Sequence, residues 1–288
     1  MTDLTNIDNI RDILSRHGFR FSKSLGQNFL AADWVPERIA EEAGLAEDVG
    51  VLEVGPGVGC LTAELSKRAG KVLSVELDKR LMPVLAETLA GCENVEVLFG
   101  DVLKQEIPAL MDESFPGLRR AACANLPYSV TSPVLTELIN ARCFESITVM
   151  VQREVARRIC AAPDTEDYGA FSVFCQWKCE TEILFDVGPE CFIPRPKVTS
   201  SVIRLIPREK PPVQTDDEEL FFRVVRSAFN QRRKTLVNAL SSGFAEIPKT
   251  ELEKSVISCG FPPNIRGEVL GINDFAQIAD YIGALNQR

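Results

Sequence analysis

Short continuous runs of Val, Ile and Leu alternate along the chain with segments whose apolar residues recur at helical spacing. Val49–Val54, Lys71–Glu76, Val95–Phe99, Arg120–Asn125 and Ile147–Gln152 read as strands buried on both faces. Ala63–Ala69, Arg80–Leu89 and Ser132–Ala141 read as the helices between them. That alternation predicts βαβ units and a mainly parallel, doubly wound α/β sheet. A helical pattern around Tyr168–Lys178 leads into two further β-like runs, Thr181–Val187 and Thr199–Ile206, suited to an antiparallel pair at the sheet edge. Proline and charge dominate Pro207–Glu219, which reads as a linker. Beyond it Leu220–Asn230, Thr235–Leu240, Thr250–Ile257 and Asp274–Ile282 are helical in pattern. The expected division is an α/β domain over 1–206, a linker over 207–219 and a small all-α domain over 220–288.

Composition narrows the chemistry. The 288 residues are 45% hydrophobic and 25% charged, ordinary usage for a globular chain. No apolar run approaches the roughly 18–20 residues of a membrane span. Met1–Ile10 is polar and acidic, unlike a signal peptide, so a cytoplasmic protein without a membrane partner is expected. His17 is the only histidine, which removes Ser-His-Asp, Cys-His and multi-histidine metal chemistry together. Of the nine cysteines only Cys175 and Cys179 are closely spaced, and no second pair completes a tetrahedral site. They are expected to be reduced, buried thiols, with no metal bound. The net charge of −9 opposes a nucleic-acid partner unless positive charge is concentrated locally.

Val51-Leu52-Glu53-Val54-Gly55-Pro56-Gly57-Val58-Gly59-Cys60 is a strand, a glycine turn and a helix start. Glycines such as Gly55 and Gly57 allow positive φ and close approach of the backbone to a ligand. A pyrophosphate fingerprint, G-x-G-x-x-G, would put Cys60 in the third glycine's place, and no G-K-[ST] follows for a nucleoside triphosphate. E-x-G-x-G-x-G, with Glu53 on the strand, resembles instead the turn of class I methyltransferases. At the end of the next strand Glu76 is suited to accept from both ribose hydroxyls of an adenosyl group. At the end of the third, Asp101 is suited to accept from the adenine amino group. The plainer readings are a solvated strand-end charge for Glu76 and a turn or cap residue for Asp101.

After the fourth strand stands Asn125-Leu126-Pro127-Tyr128, which resembles the [N/D]-P-P-[Y/F] motif of amino-methyltransferases. Three further motifs are Gly26-Gln27-Asn28-Phe29-Leu30, Phe192-Ile193-Pro194-Arg195-Pro196-Lys197-Val198 and Asn230-Gln231-Arg232-Arg233-Lys234-Thr235-Leu236. With these the chain resembles the ribosomal RNA adenine N6-dimethyltransferase family, its small-subunit (16S) branch above all. Arg266-Gly267-Glu268-Val269-Leu270 is similar to the family's C-terminal signature, so the resemblance spans nearly the whole chain.

The resemblance implies a Rossmann-like class I methyltransferase sheet, S-adenosyl-L-methionine as cofactor, and two methyl transfers to adenine N6. It further implies adjacent adenosines as targets, ribosomal RNA within small-subunit (30S-type) particles as partner, and a role in small-subunit biogenesis. It places Asn28, Leu30 and, beside its catalytic role, Asn125 next to the cofactor, and Phe192 against the target base, opposite Tyr128. The chemistry fits. Adenine N6 is a poor nucleophile because its lone pair is delocalised into the ring. Two acceptors, the Asn125 side-chain oxygen and the Leu126 carbonyl, can hold its hydrogens and favour a more tetrahedral nitrogen. Pro127 fixes φ and helps aim that carbonyl. Tyr128 can stack on an extruded base, a contact worth on the order of 1–3 kcal/mol. Asn125 positions and polarises; it is not a general base.

At about 100° per residue Arg223, Arg226, Asn230, Arg233 and Lys234 share one helical arc of about 100°. From Phe221 to Leu236 there are five basic residues, these four and Arg232, and no acidic one. This is the expected RNA-binding face; Arg153, Arg157, Arg158, Arg195 and Lys197 are candidates to extend it. The tract from Arg11 to Lys23 either gates the cofactor or touches RNA. A monomer is expected, since RNA would occupy the basic face. Three other readings stand beside this one: the large-subunit branch that confers antibiotic resistance, a non-catalytic ribosome-assembly factor, and a nicotinamide oxidoreductase.

Overall fold

Six consecutive buried positions, Val49 to Val54, form an inner strand of a seven-stranded sheet. Val and Leu dominate the run, interrupted only by Gly50 and the buried Glu53, and its full burial reflects cover on both faces. Gly50 lies there because a Cβ would run into the ring of Phe115. The computed structural model describes residues 4–22 and 26–286. Its strands are Phe29–Leu30 (β1), Val49–Val54 (β2), Lys71–Glu76 (β3), Val95–Phe99 (β4), Arg119–Asn125 (β5), Ser146–Gln152 (β6), Cys179–Val187 (β7), Phe192–Ile193 (β8) and Ser200–Pro207 (β9). The large sheet runs β4-β3-β2-β5-β6-β9-β7; β1 and β8 pair separately and antiparallel. β2 to β6 are mutually parallel, and β9 runs antiparallel to β6. Strand order reverses between β2 and β5, which opens a crevice at the carboxyl ends of the strands.

The helices are Ile7–Arg16 (α1), Trp34–Glu42 (α2), Cys60–Ser66 (α3), Met82–Thr88 (α4), Ile107–Ser114 (α5), Thr131–Asn140 (α6), Arg153–Ile159 (α7), Ala170–Lys178 (α8), Glu218–Asn230 (α9), Leu236–Gly243 (α10), Lys249–Ser258 (α11) and Ile272–Asn286 (α12). The five strands read from the sequence are present within one residue at their ends. The first crossover helix begins earlier than expected, at Cys60, because Gly59 at φ 91° already turns the chain into it. The expected helix from Arg80 opens as a 3-10 turn, Lys79–Leu81, before α4. Helices α1, α2, α5 and α7 and the short β1–β8 pair add to the expected elements; α1 does carry Ile7, Ile10, Ile13 and Leu14 at helical spacing. β1 and β8 have two residues each, too few for a period to show.

Chain packing divides the protein into Met1–Ala156 with Thr181–Pro207, and Arg157–Glu180 with Arg208–Arg288. The expected boundary after residue 206 therefore needs a correction: Arg157–Glu180 joins the helical unit. The reason is aromatic packing. Trp177 of α8 stacks on Phe221 of α9 at 4.0 Å between ring centroids, and Tyr168 meets Phe229 edge-on. Both belong to the core that Val224, Leu240, Val256 and Phe275 complete. Asp217 caps α9 by accepting from Leu220 N at 3.0 Å, so the helix starts inside the expected linker. No helix among the described residues is long and apolar enough to cross a membrane. Cys60, Cys123, Cys175, Cys179 and Cys191 are buried, the other four half-buried.

Candidate active site

A cavity of about 180 Å3 lies over the carboxyl ends of β2, β3, β4 and β5. Its walls come from the glycine turn, from Glu76, from Gly100–Leu103, from Asn125–Val130 and from Gly26–Leu30. Gly55 and Gly57 hold φ of 75° and 61°, which costs other residues roughly 1–2 kcal/mol. At Gly57 space matters as well: a Cβ would stand 2.9 Å from the Phe29 ring. The turn and the N-terminal motif thus close on one another and leave a backbone-lined cradle. Phe29 is steadied by Phe19 and Phe21, at 6.0 and 5.3 Å between centroids.

Glu76 is buried at the end of β3, where its Oε2 accepts from Gly57 N at 3.3 Å and its Oε1 from Asp78 N at 2.8 Å. Each carboxylate oxygen accepts more than one hydrogen, so both keep capacity for a vicinal diol. Burial raises the Glu76 pKa, and the two backbone amides oppose that. Asp101 caps a 3-10 turn, accepting from Leu103 N at 3.1 Å, and it also lines the cavity. Beside Glu76, Asp78 accepts from Gln27 Nε2 at 2.7 Å and from Arg80 Nη2 at 2.6 Å. This ties the N-terminal motif to the end of β3, a link that only the fold creates.

Glu53 is buried at the cavity floor, and its Oε2 accepts from Thr62 Oγ1 and Ser74 Oγ, both at 2.6 Å. Burial pushes its pKa up to about 7, against the two hydroxyl bonds; the nearby Glu76 adds to the rise. In the sequence Glu53 stands out only as part of the turn. These residues fit an adenosyl cofactor: a cradle too tight for a Cβ, a strand-end carboxylate for a diol, and an acceptor at the next strand end.

Asn125 ends β5 and its Nδ2 donates to the Asn28 carbonyl at 3.1 Å. Asn28 in turn donates from its own side chain to Gly26 O at 3.0 Å. A carbonyl only accepts, so the Asn125 amide must present its nitrogen there and leave Oδ1 on the other side. Neither Asn125 Oδ1 nor the Leu126 carbonyl takes a hydrogen bond from the described residues. Both residues line the cavity. Pro127 holds φ −58°, and its own carbonyl is occupied by Val130 N at 3.1 Å. Tyr128 is half-buried, and burial raises its pKa.

The other expected site residues divide. Leu30 lines the cavity from β1. Phe192 needs correction: paired with Leu30 across β1 and β8, it is 3% exposed in the hydrophobic core and does not line the cavity. Burying the ring satisfies it without a base.

The basic face also changes. α9 ends at Asn230, so Arg233 and Lys234 leave the predicted arc, and Arg232 beside them is outside the helix as well. Arg223 is committed inside the helical unit. Its guanidinium donates to Gly243 O at 2.8 Å, pairs with Glu246 at 2.6 Å and lies over the Phe244 ring at 4.1 Å. Arg232 pairs with Glu268 at 2.7 Å and donates to Thr165 O at 3.1 Å, joining two of the sequence motifs. Arg226, Arg233 and Lys234 are exposed and have no acidic partner among the described residues. Of the wider candidates, Arg153 stands 3.8 Å from Asp186 and Arg195 3.7 Å from Glu190, while Arg157, Arg158 and Lys197 are exposed. In the N-terminal tract Arg16 is bound by Asp12 and Glu87 at 2.9 and 2.8 Å; Lys23 lies outside the described residues.

The profile of the family described as ribosomal RNA adenine dimethylase matches residues 18–282. Ribosomal RNA small subunit methyltransferase A of Geobacillus thermodenitrificans is 42% identical over 282 residues, 96% of each chain. The protein of the same name from Clostridium perfringens is 44% identical over 284 residues, 97% of this chain and 98% of its own. Among solved structures, a dimethyladenosine transferase from Plasmodium falciparum superposes with TM-score 0.72 at 25% identity, covering 90% of this chain and 98% of its own. The 23S rRNA methyltransferase ErmE does so with TM-score 0.68 at 29% identity, covering 88% and 99%. With a match of this extent, over the same strands and motifs that build the cavity, the chain belongs to the ribosomal RNA adenine dimethylase family.

Proposed function

We propose that this chain is an S-adenosyl-L-methionine-dependent methyltransferase that dimethylates adenine N6 on adjacent adenosines of small-subunit (16S) ribosomal RNA. The observation that carries the reading is the pair of unfilled acceptors, Asn125 Oδ1 and the Leu126 carbonyl, on the wall of a cavity that also holds the glycine cradle. The small-subunit assignment follows the relatives named for it, at 42% and 44% identity along nearly the whole chain.

The cofactor, when bound, supplies a methyl group on a positively charged sulfur. Gly55 and Gly57 give it backbone room, Glu76 takes the ribose hydroxyls, Asp101 the adenine amine, and Asn28 and Leu30 close the near side. Asn125 and Leu126 hold the hydrogens of the target N6 and fix its lone pair for in-line attack. Placement of this kind supplies much of the acceleration, because entropy is lost on binding rather than in the transition state. Pro127 sets the turn and Tyr128 stacks on the base. The proton lost from N6 leaves after the new bond forms, when the nitrogen is far more acidic, so no strong base is needed.

Arg226, Arg233 and Lys234 contact RNA phosphates from the helical unit. The protein works as a cytoplasmic monomer on 30S-type particles. The test is to supply tritium-labelled cofactor in parallel to immature small-subunit particles and to free large-subunit RNA, and to analyse the nucleosides of each by mass. Labelled dimethyladenosine in small-subunit RNA is expected. Label confined to large-subunit RNA would transfer the chain to the ErmE-like activity, and no label in either would leave only the assembly-factor reading.

A further inference from the structure

The two polar side chains of the tetrapeptide are both held from outside it. Asn125 is held by Asn28; the Tyr128 hydroxyl lies 2.7 Å from Ser200 Oγ. Ser200 opens β9, is fully buried, and stands opposite Gln152 in the antiparallel ladder with β6. Its hydroxyl is therefore a fixed point. Tyr128, by contrast, opens a 3-10 helix of three residues that has no side-chain cap. A phenol on so short an element has two free torsions: a bond at its far end fixes χ1 by position, and it restrains the ring plane through the preference of a phenolic hydroxyl to hydrogen-bond in the plane of its ring. A phenol is protonated at neutral pH, and burial raises its pKa further, so the bond persists.

Resting on the function proposed above, we propose that Ser200 is a positioning residue for methyl transfer. It fixes the plane of the Tyr128 ring, and so the plane in which the target base stacks. Ser200 acts only through Tyr128 and does not touch the base.

The second methylation should depend on this anchor more than the first. An unmodified adenine amine offers two N–H groups to two acceptors, Asn125 Oδ1 and the Leu126 carbonyl. Once one hydrogen has been replaced by methyl, one N–H remains and one acceptor loses its donor. Orientation then leans on the stacking plane. A loosened ring should release more monomethyl product.

The experiment compares Ser200→Ala, Tyr128→Phe and the double variant for RNA kinetics, cofactor affinity and the ratio of mono- to dimethyladenosine. Each single variant should lose about five- to tenfold in kcat/KM for RNA, the loss of one hydrogen bond of ordinary strength. Cofactor Kd should stay within about twofold and the monomethyl share should rise. The double variant should resemble either single one, since both remove the same bond. Ser200→Thr, which keeps a hydroxyl, should recover part of the rate. Additive losses, an unchanged product ratio, or a Tyr128→Phe enzyme like the parent would overturn the proposal. Tyr128→Phe alone decides if Ser200→Ala fails to fold.

A substrate-free reading separates the anchor from the proposed activity. The chain has three tyrosines, so fluorotyrosine labelling gives a resolvable set of resonances. Ser200→Ala should shift and narrow that of Tyr128. If it does not, the anchor is absent, whatever the protein methylates.

Discussion

Asn125 Nδ2 donates to the main-chain carbonyl of Asn28 across 3.1 Å, so two motifs 97 positions apart set one side chain. The bond decides which end of the amide faces the N-terminal segment and leaves Oδ1 without a donor among the described residues, the acceptor that the proposed function uses. Asn125→Ala should lower turnover on the order of a hundredfold, as when one preorganised hydrogen-bond partner of a transition state is removed. Cofactor affinity should change by no more than a few-fold, measured by titration calorimetry. Equal losses in both would make Asn125 a cofactor residue instead.

The cradle at Gly57 can be tested against a control. Gly44 has φ 63°, close to the 61° of Gly57, but a Cβ there meets nothing within 4 Å. Gly44→Ala and Gly57→Ala should each cost roughly 1–2 kcal/mol of stability for the left-handed backbone. Only Gly57→Ala should also weaken cofactor binding, by at least about tenfold, because its methyl meets Phe29. Equal cofactor affinity in the two variants would show that the close approach is immaterial.

Glu53 should make the apo-protein's stability fall with rising pH. Its pKa is near 7 in the folded chain against an ordinary 4.5, so between those values the folded state keeps a proton that the unfolded chain releases. The stabilisation is complete below about pH 4.5 and is lost as pH rises through 7. Its full size is on the order of 3 kcal/mol. Glu53→Gln, neutral throughout, should have a flatter profile in that window and gain on the parent protein toward pH 8. Glu76 contributes a slope of the same sign to both proteins. Parallel melting profiles would mean that the buried carboxyl is not the titrating group.

The basic residues of the helical unit should separate into two phenotypes. Arg232→Ala breaks a half-buried pair with Glu268 and should cost about 1 kcal/mol of stability. Replacing Arg226, Arg233 and Lys234 together should leave stability within about 0.5 kcal/mol. It should weaken RNA binding and flatten the log–log salt slope by roughly 0.7–0.9 for each phosphate no longer neutralised. An unchanged slope, measured by filter binding across salt concentrations, would take these residues out of the RNA interface.

The sequence by itself determined the doubly wound sheet, because its strands become short runs rich in Val, Ile, Leu and Ala and crossover helices repeat between them. It also determined the site's components: Gly55, Gly57, Glu76 and Asn125 stand at successive strand ends, where chain order and parallel topology leave one place for them to meet. Tertiary structure alone decided which side chains are spent elsewhere. Arg223 and Arg232 look free in a window without acids, but Glu246 and Glu268 arrive from later turns of the chain to neutralise them. Phe192 looks available for stacking until β8 pairs with β1 and turns it into the core. Tyr128 gains its anchor only when β9 returns beside β6 and brings Ser200 within 2.7 Å. The reason is common to all of them. Hydrophobic period and turn chemistry are local and are written along the chain, whereas hydrogen-bond and charge partners are set by long-range packing that no local window contains.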